Sequence, residues 1–135
     1  LAGERPTYNG TMGNHMVISG PNTDFPFAAR SKNITGVCRS TPEAEMSSAN
    51  IGVTTLAMPT MDLFDQMTTP GQTTLTVWED NTATIQIIAS RRNPTMRHLQ
   101  RHQGINLRFL HELFYPRDAH TNAPVWTPFK LEYVE

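Results

Sequence analysis

The chain has 135 residues, a formal net charge of −1 and a single cysteine, Cys38. A chain of this length buries about 68% of its unfolded surface, so we expect residues 1–135 to form one domain with a proper core. The apolar fraction of 38% and the charged fraction of 17% are typical of a globular protein. No apolar run approaches the roughly 20 residues of a membrane span. One cysteine excludes an internal disulfide, which permits an intracellular compartment, cytoplasmic or nuclear.

Two strands and a turn are predicted near the start of the chain. Residues 15–19 and 25–31 have strand-like composition, and the Gly-Pro-Asn-Thr sequence of residues 20–23 is typical of a turn between them. Residues 37–39 predict another short strand or the end of the same hairpin.

A helix is predicted next. Ser40 or Thr41 can cap it, and Pro42 falls in the first turn, where its missing N–H costs nothing. Pro59 is expected to interrupt this helix because proline is poorly tolerated inside one. Residues 60–67 then predict a second short helix.

Glu45 is the candidate functional residue of the first helix. Helical spacing places it on the face that also carries Ala49 and Val53, whereas Glu43 falls on a polar face. A carboxylate on the packing side is costly unless it is paired or binds a metal. The alternative is that Glu45 lies at the rim of the core and reaches water.

A strand leading into a helix is predicted around Asp80. Leu75 and Val77 alternate with polar residues over residues 73–81, which is typical of a strand with one buried face. Asn81 can cap the following helix, which extends to Ser90. Asp80 therefore lies at a strand-to-helix junction, where α/β sheets commonly place functional groups. The alternative is that its carboxylate only favours the start of the helix.

Positive charge is concentrated downstream of this junction. Residues 81–111 contain no Asp or Glu but five of the eleven Lys and Arg residues of the chain. This pattern fits contact with a polyanion or, equally, an ordinary solvated helix face. The Asn-Pro pair at residues 93–94 predicts a break before a helix at residues 99–114. A loop over residues 116–128 and a closing strand over residues 129–134 follow.

Three ordered blocks resemble the ribonuclease H region of copia-type retrotransposon polyproteins. Residues 79–85 (Glu-Asp-Asn-Thr-Ala-Thr-Ile) are similar to the family's Asp-Asn-x-x-Ala-Ile segment. Residues 93–98 resemble its Asn-Pro and basic patch, and residues 105–112 resemble its last helix before the closing strand. Upstream, residues 40–46 (Ser-Thr-Pro-Glu-Ala-Glu-Met) look like the family's Ser-Ser-Thr-Glu-Ala-Glu-Tyr. The resemblance weakens at residues 101–103, where Arg-His-Gln replaces a pattern ending in His.

The resemblance implies an α/β fold, a ribonuclease H-like mixed sheet flanked by helices. It also implies hydrolysis of the RNA strand of an RNA–DNA hybrid by two Mg²⁺ or Mn²⁺ ions, next to the reverse transcriptase portion of the same polyprotein. Glu45 and Asp80 match the catalytic, metal-binding acids of the family. Its first catalytic Asp would precede Leu1 and its last would follow Glu135, so we expect a domain truncated at the first strand and the final helix.

The basic segment supplies the candidate contacts to the nucleic acid. The residues assigned to this role are Arg91, Arg92, Arg97, His98 and Arg101. One alternative function is a non-catalytic remnant of a degenerate element that binds nucleic acid or a partner. Another is a small α/β interaction domain whose resemblance to the family is accidental.

Overall fold

The computed structural model describes residues 10–34, 38, 40–92 and 101–135, without the side chains of residues 101–103. These residues form a mixed α/β structure, as the sequence predicts. Its elements are β1 (Thr11–Gly20), β2 (Thr23–Asn33), α1 (Thr41–Gly52), α2 (Met58–Met67), β3 (Leu75–Glu79), α3 (Thr82–Ser90), α4 (Arg101–Phe114) and β4 (Phe129–Tyr133). The chain divides into two compact units, Leu1–Asp62 and Leu63–Glu135.

The first unit contains an antiparallel hairpin of β1 and β2. Gly20 is paired with Thr23, so the predicted turn is a two-residue loop, and both predicted strands are confirmed in longer form. The register shifts where Met16 pairs with Ala28 but Val17 pairs with Pro26. Because proline cannot donate to the ladder, a bulge beside it is a favourable place for this residue.

Helix α1 begins as predicted. The Ser40 hydroxyl accepts a hydrogen bond from the Glu43 backbone N–H at 3.4 Å, and Pro42 lies in the first turn. The helix packs on β1, where the Asn14 side-chain amide donates to the Ser48 carbonyl oxygen at 3.3 Å. A Cβ atom on Gly52 would lie 2.6 Å from that amide nitrogen, so the absence of a side chain at Gly52 makes this close approach possible.

The predicted interruption at Pro59 is wrong, because residues 41–67 form a continuous helical run. A π-helix (Val53–Ala57) joins α1 to α2, and the Met58 N–H donates to the Val53 carbonyl. This wider turn lies directly before Pro59, whose ring and missing N–H disrupt an ordinary α-helical turn. The Thr55 hydroxyl donates to the Ile51 carbonyl at 2.6 Å, which satisfies a backbone acceptor in the same region.

The second unit contains a parallel pair, β3 and β4, in which Leu75 pairs with Phe129 and Glu79 with Tyr133. Parallel strands require a long crossover, and here α3 and α4 supply it. Both helices contact β4 and each other. The buried side chains that they contribute are Thr84, Ile87, Ile88, Leu107, Leu110 and Phe114.

A side-chain hydrogen bond also connects the two helices of this crossover. The His111 Nδ1 atom lies 2.8 Å from the Ile88 carbonyl oxygen. This contact satisfies one of the acceptors that the last turn of α3 leaves without an intrahelical partner. The His111 ring also stacks on Tyr115, with centroids 5.9 Å apart. Burial, together with the charge of Glu132, raises the pKa of Tyr115.

The loop between α4 and β4 is fixed by its own hydrogen bonds. The Asp118 carboxylate accepts the backbone N–H groups of His120 at 2.8 Å and Thr121 at 2.9 Å. These two bonds, the one from Thr121 first, hold the pKa of Asp118 below its ordinary value. The Arg117 guanidinium donates to the Asn122 carbonyl at 3.0 Å. The predicted loop is thus an ordered turn structure.

Candidate functional site

The junction between β3 and α3 presents Asp80 to solvent. Trp78 and Asp80 are exposed, whereas Glu79 between them is 8% exposed, as the alternation along a strand requires. Asn81 then caps α3, and its side-chain oxygen accepts the backbone N–H groups of Ala83 at 3.0 Å and Thr84 at 3.3 Å. The predicted cap is therefore confirmed.

Strand β4 ends beside this junction. The Val134 N–H donates to the Glu79 carbonyl oxygen at 3.1 Å, so the two parallel strands end together at one edge. Within the described residues, the Asp80 carboxylate has no hydrogen bond or ion pair. An exposed carboxylate without a protein partner is available to a cation or to a ligand that approaches this edge.

The burial of the two acids in α1 is the reverse of the prediction. Glu43 is 3% exposed, whereas Glu45 is only partly buried. The buried face of α1 consists largely of small residues, and it includes the polar residues Glu43, Ser47 and Ser48. Its buried residues are Glu43, Ala44, Met46, Ser47, Ser48 and Ala49. The prediction failed because it treated serine as a marker of the solvent side.

Glu43 lies close enough to Cys38 to affect its ionisation. Burial of the Cys38 thiol is the main reason that its pKa is raised, and the charge of Glu43 adds to the effect. Cys38 belongs to a buried cluster with Met12, Ile34 and Ala44, the residue that follows Glu43. The buried acid of α1 is thus Glu43, and Glu45 is the acid that solvent reaches.

The described residues supply suitable metal ligands but no complete cluster. Glu45 and Asp80 carry the hard oxygen atoms that Mg²⁺ prefers, and neither carboxylate has a protein partner among the described residues. Across those same residues, no group of three His, Cys, Asp or Glu side chains could hold a metal ion. Glu45 belongs to the first unit and Asp80 to the second, and the metal-binding role that the resemblance implies for them stays a prediction.

Two of the five predicted nucleic-acid contacts have described side chains. Arg91 ends α3 in the left-handed conformation, with φ of 57°, and Arg92 follows it; both are exposed. The Ser90 hydroxyl bonds to the backbone of Arg92 at 3.2 Å and thereby fixes this turn. Arg97 and His98 lie outside the described residues, as does the side chain of Arg101.

Arg108 already has an acidic partner. Its Nε atom donates to Glu112 Oε1 at 2.9 Å, and both side chains are well exposed. This hydrogen bond lowers the pKa of Glu112, with smaller effects from the charges of Arg108, Arg91 and His111. An exposed pair of this kind contributes little to stability. Among the described arginines of the basic segment, Arg91 and Arg92 form no such salt bridge.

Comparison of the chain with protein-family models, with curated proteins and with solved structures finds no match. In the part of the chain that the structure describes, no helix is both long enough and apolar enough to cross a membrane. A functional assignment therefore depends on the residues of the junction and of α1, and on the sequence resemblance.

Proposed function

We propose that this chain is the ribonuclease H-like part of a copia-type retrotransposon polyprotein, which hydrolyses the RNA strand of RNA–DNA hybrids in the intact parent protein. The observation that carries the proposal is the β3–α3 junction. Asp80 is exposed there and has no partner among the described residues, and it lies at the common end of two parallel strands. One of the segments that resemble the family, residues 79–85, coincides with this junction.

A ribonuclease H-like fold contains a mixed sheet, which requires both antiparallel and parallel pairs. Among the described residues both types of pair occur, but in two separate two-stranded sheets, the hairpin of β1 and β2 and the parallel pair of β3 and β4. The predicted single mixed sheet is therefore not formed by these residues, and the assignment depends on the β3–α3 junction and the sequence resemblance. The helices that connect β3 to β4 contact the parallel pair, and a helical crossover between parallel strands is typical of an α/β protein.

Glu45 and Asp80 are the residues that would hold Mg²⁺ or Mn²⁺. Two such ions, when bound, would supply an activated water molecule and charge stabilisation for the leaving oxygen of the phosphodiester. Clustered carboxylates repel one another, and a cation offsets that repulsion. The contribution of this chain is to present two accessible acids, while Glu43 and Glu79 remain buried. Water, substrate phosphates or acids beyond the described residues would complete the coordination.

Cleavage by the parent protein tests this function. Asp80→Asn and Glu45→Gln should each reduce kcat for hybrid cleavage by about 100-fold or more, because each removes charge from the site of the reacting phosphate. Asp62→Asn, a neutralised exposed acid of α2, is the matched control and should retain activity. Retained activity in Asp80→Asn would contradict the assignment. Hybrid binding without any cleavage by the parent would favour the non-catalytic alternative.

Hybrid binding tests the proposed contacts of the basic segment. If Arg91, Arg92, Arg97 and Arg101 contact phosphates, affinity should fall steeply with salt concentration. Replacing each of them with Gln should reduce the slope of log K against log salt by about one per lost contact. Arg108→Gln is the control, since Arg108 is paired with Glu112. A slope unchanged by all four replacements would exclude the contacts, and the same assay with His98→Gln extends the test to that residue.

A further inference from the structure

The backbone on both sides of Asp80 is fixed, although its side chain is not. On the N-terminal side, the Glu79 carbonyl oxygen accepts the Val134 N–H at 3.1 Å, which ties this end of β3 to β4. On the C-terminal side, Asn81 caps α3 through two hydrogen bonds, and its own carbonyl accepts the Ile85 N–H at 3.2 Å. Asp80 is the exposed residue between these two anchored neighbours.

The Glu79 side chain spans the gap between the two anchors. Its Oε1 atom accepts the Asn81 backbone N–H at 3.1 Å. This bond closes a ring of atoms that passes through the backbone of Asp80, so it restrains the dihedral angles on each side of that residue. The Glu79 side chain is also buried, which limits its own freedom and makes the restraint more effective.

We propose that Glu79 is a positioning residue, which acts through Asn81 to hold the Asp80 carboxylate in the direction that metal binding requires. This inference depends on the proposed function, because it assumes that Asp80 is a ligand. The Asp80 side chain has no bond of its own among the described residues, so the backbone that Glu79 restrains sets the direction of its Cα–Cβ bond and thereby the positions that its carboxylate can reach. Catalysis is sensitive to such placement, since a displacement of 1 Å can cost about 100-fold in rate.

Two substitutions separate the hydrogen bond from the charge of Glu79. Glu79→Gln keeps a side-chain oxygen that can accept the Asn81 N–H but removes the charge. Glu79→Met has a similar volume, suits a buried position and has no such acceptor. If Glu79 acts through its hydrogen bond to Asn81, the Glu79→Gln variant should retain the metal affinity and kcat of the original chain, and the Glu79→Met variant should not.

The first measurement uses the 135-residue chain with Mn²⁺ as the probe. Line broadening of the Asp80 and Asn81 amide signals in NMR spectra reports the ion at this junction. We expect Glu79→Met to weaken apparent Mn²⁺ affinity about 10-fold and to accelerate hydrogen exchange of the Asn81 amide, whereas Glu79→Gln changes the affinity less than 2-fold. The chemical shifts of α3 and β4 check that each variant is folded.

The second measurement is hybrid cleavage by the parent protein, where Glu79→Met should lower kcat about 10-fold and leave KM for the hybrid unchanged. A purely structural role would lower stability without this division between kcat and KM. The inference is overturned if Glu79→Met retains Mn²⁺ affinity and kcat, or if Glu79→Gln loses both as strongly. Asp80→Asn separates the two proposals: if it retains metal binding and cleavage, the proposed function itself fails, whatever the Glu79 variants do.

Discussion

Each unit of the chain carries a pair of neighbouring acids in which one is buried and the other is more accessible. In the second unit, Glu79 is buried and Asp80 is exposed. In the first unit, Glu43 is buried and Glu45 is partly exposed. The pairs differ in how their orientation is determined, because the first lies on a helix and the second at the end of a strand.

For Glu79 and Asp80, the local geometry of the strand determines which acid is buried. Successive residues of a strand point to opposite faces, so Glu79 lies on the same face as the half-buried Val77, and Asp80 lies on the same face as the exposed Trp78. Residues two apart on a helix also point in different directions, but the turn itself does not decide which one meets the core. The surface packed against α1 decides that, and in this protein it accepts serine and alanine. When a helix contains many small residues, its buried face therefore has to be inferred from the surface that packs against it.

The largest expected effect concerns catalysis by the accessible acids. If the chain has the proposed function and the family's other two acids flank it, the isolated 135-residue chain should cleave an RNA–DNA hybrid at least about 100-fold more slowly than a version extended at both ends, because two acids hold two cations poorly. Hybrid cleavage in Mg²⁺ and in Mn²⁺ measures the difference. Efficient cleavage by the short chain that disappears in Asp80→Asn would show that the chain carries a complete site.

Stability should separate the two acids of α1. Glu43→Ala removes a buried side chain and the contacts that it makes, so the free energy of unfolding should fall by about 1–3 kcal/mol. Glu45→Ala should change it by about 0.5 kcal/mol or less, because that side chain reaches solvent. Urea unfolding of both variants provides the comparison. Equal losses would mean that the two acids are not distinguished by burial.

The helix caps beside the two acid pairs, Asn81 and Ser40, should also differ in how much they contribute to the free energy of unfolding. Asn81→Ala removes an acceptor of two backbone N–H groups, whereas Ser40→Ala removes an acceptor of one, at the longer distance of 3.4 Å. We expect a loss of about 1–2 kcal/mol for Asn81→Ala and of about 0.5–1 kcal/mol for Ser40→Ala. Thermal and urea unfolding measure both. The reverse order would indicate that the junction at Asp80 is less tightly held than its hydrogen bonds suggest.

The helices of the two units also differ in how much space surrounds one of their glycines, Gly104 in α4 and Gly52 in α1. A Cβ on Gly104 of α4 would have no neighbour within 4 Å, so Gly104→Ala should stabilise the protein by about 0.5–1 kcal/mol. Gly52→Ala should give less or destabilise, because the Asn14 amide would have to move. Urea midpoints of the two variants test this difference, and an equal gain from both would contradict the close approach of β1 to α1.

The smallest effect is expected from Asp118, an exposed acid that is fixed by backbone donors. Its pKa in the folded protein is lowered, so its contribution to stability is present above the unfolded pKa of about 3.9 and is lost as the pH falls through the lower folded value. Asp118→Asn should therefore lose less stability than the original chain on acidification. Unfolding curves from about pH 5 to pH 2 test this, and identical pH profiles would rule out the contribution.

Much of the local structure and part of the candidate site could be predicted. The strand-to-helix junction at Asp80 and the caps at Ser40 and Asn81 follow from residue types a few positions apart, and the structure confirms them. The sequence does not predict the role proposed for Glu79, because alternation along the strand points its side chain away from that of Asp80. The alternation that buries it was nevertheless a usable signal, since a buried acid next to a cap needs a donor, and the Asn81 N–H is within reach.

The sequence by itself determined the order of the elements, the alternation along β3 and the capped starts of α1 and α3, because these depend on interactions between residues close in the chain. Only the tertiary structure decided which face of α1 is buried, how the helical run accommodates Pro59, and that His111 binds the carbonyl of Ile88. Each of these depends on groups that come together after folding, across a packed surface or between two helices, where neither composition nor spacing specifies the partner.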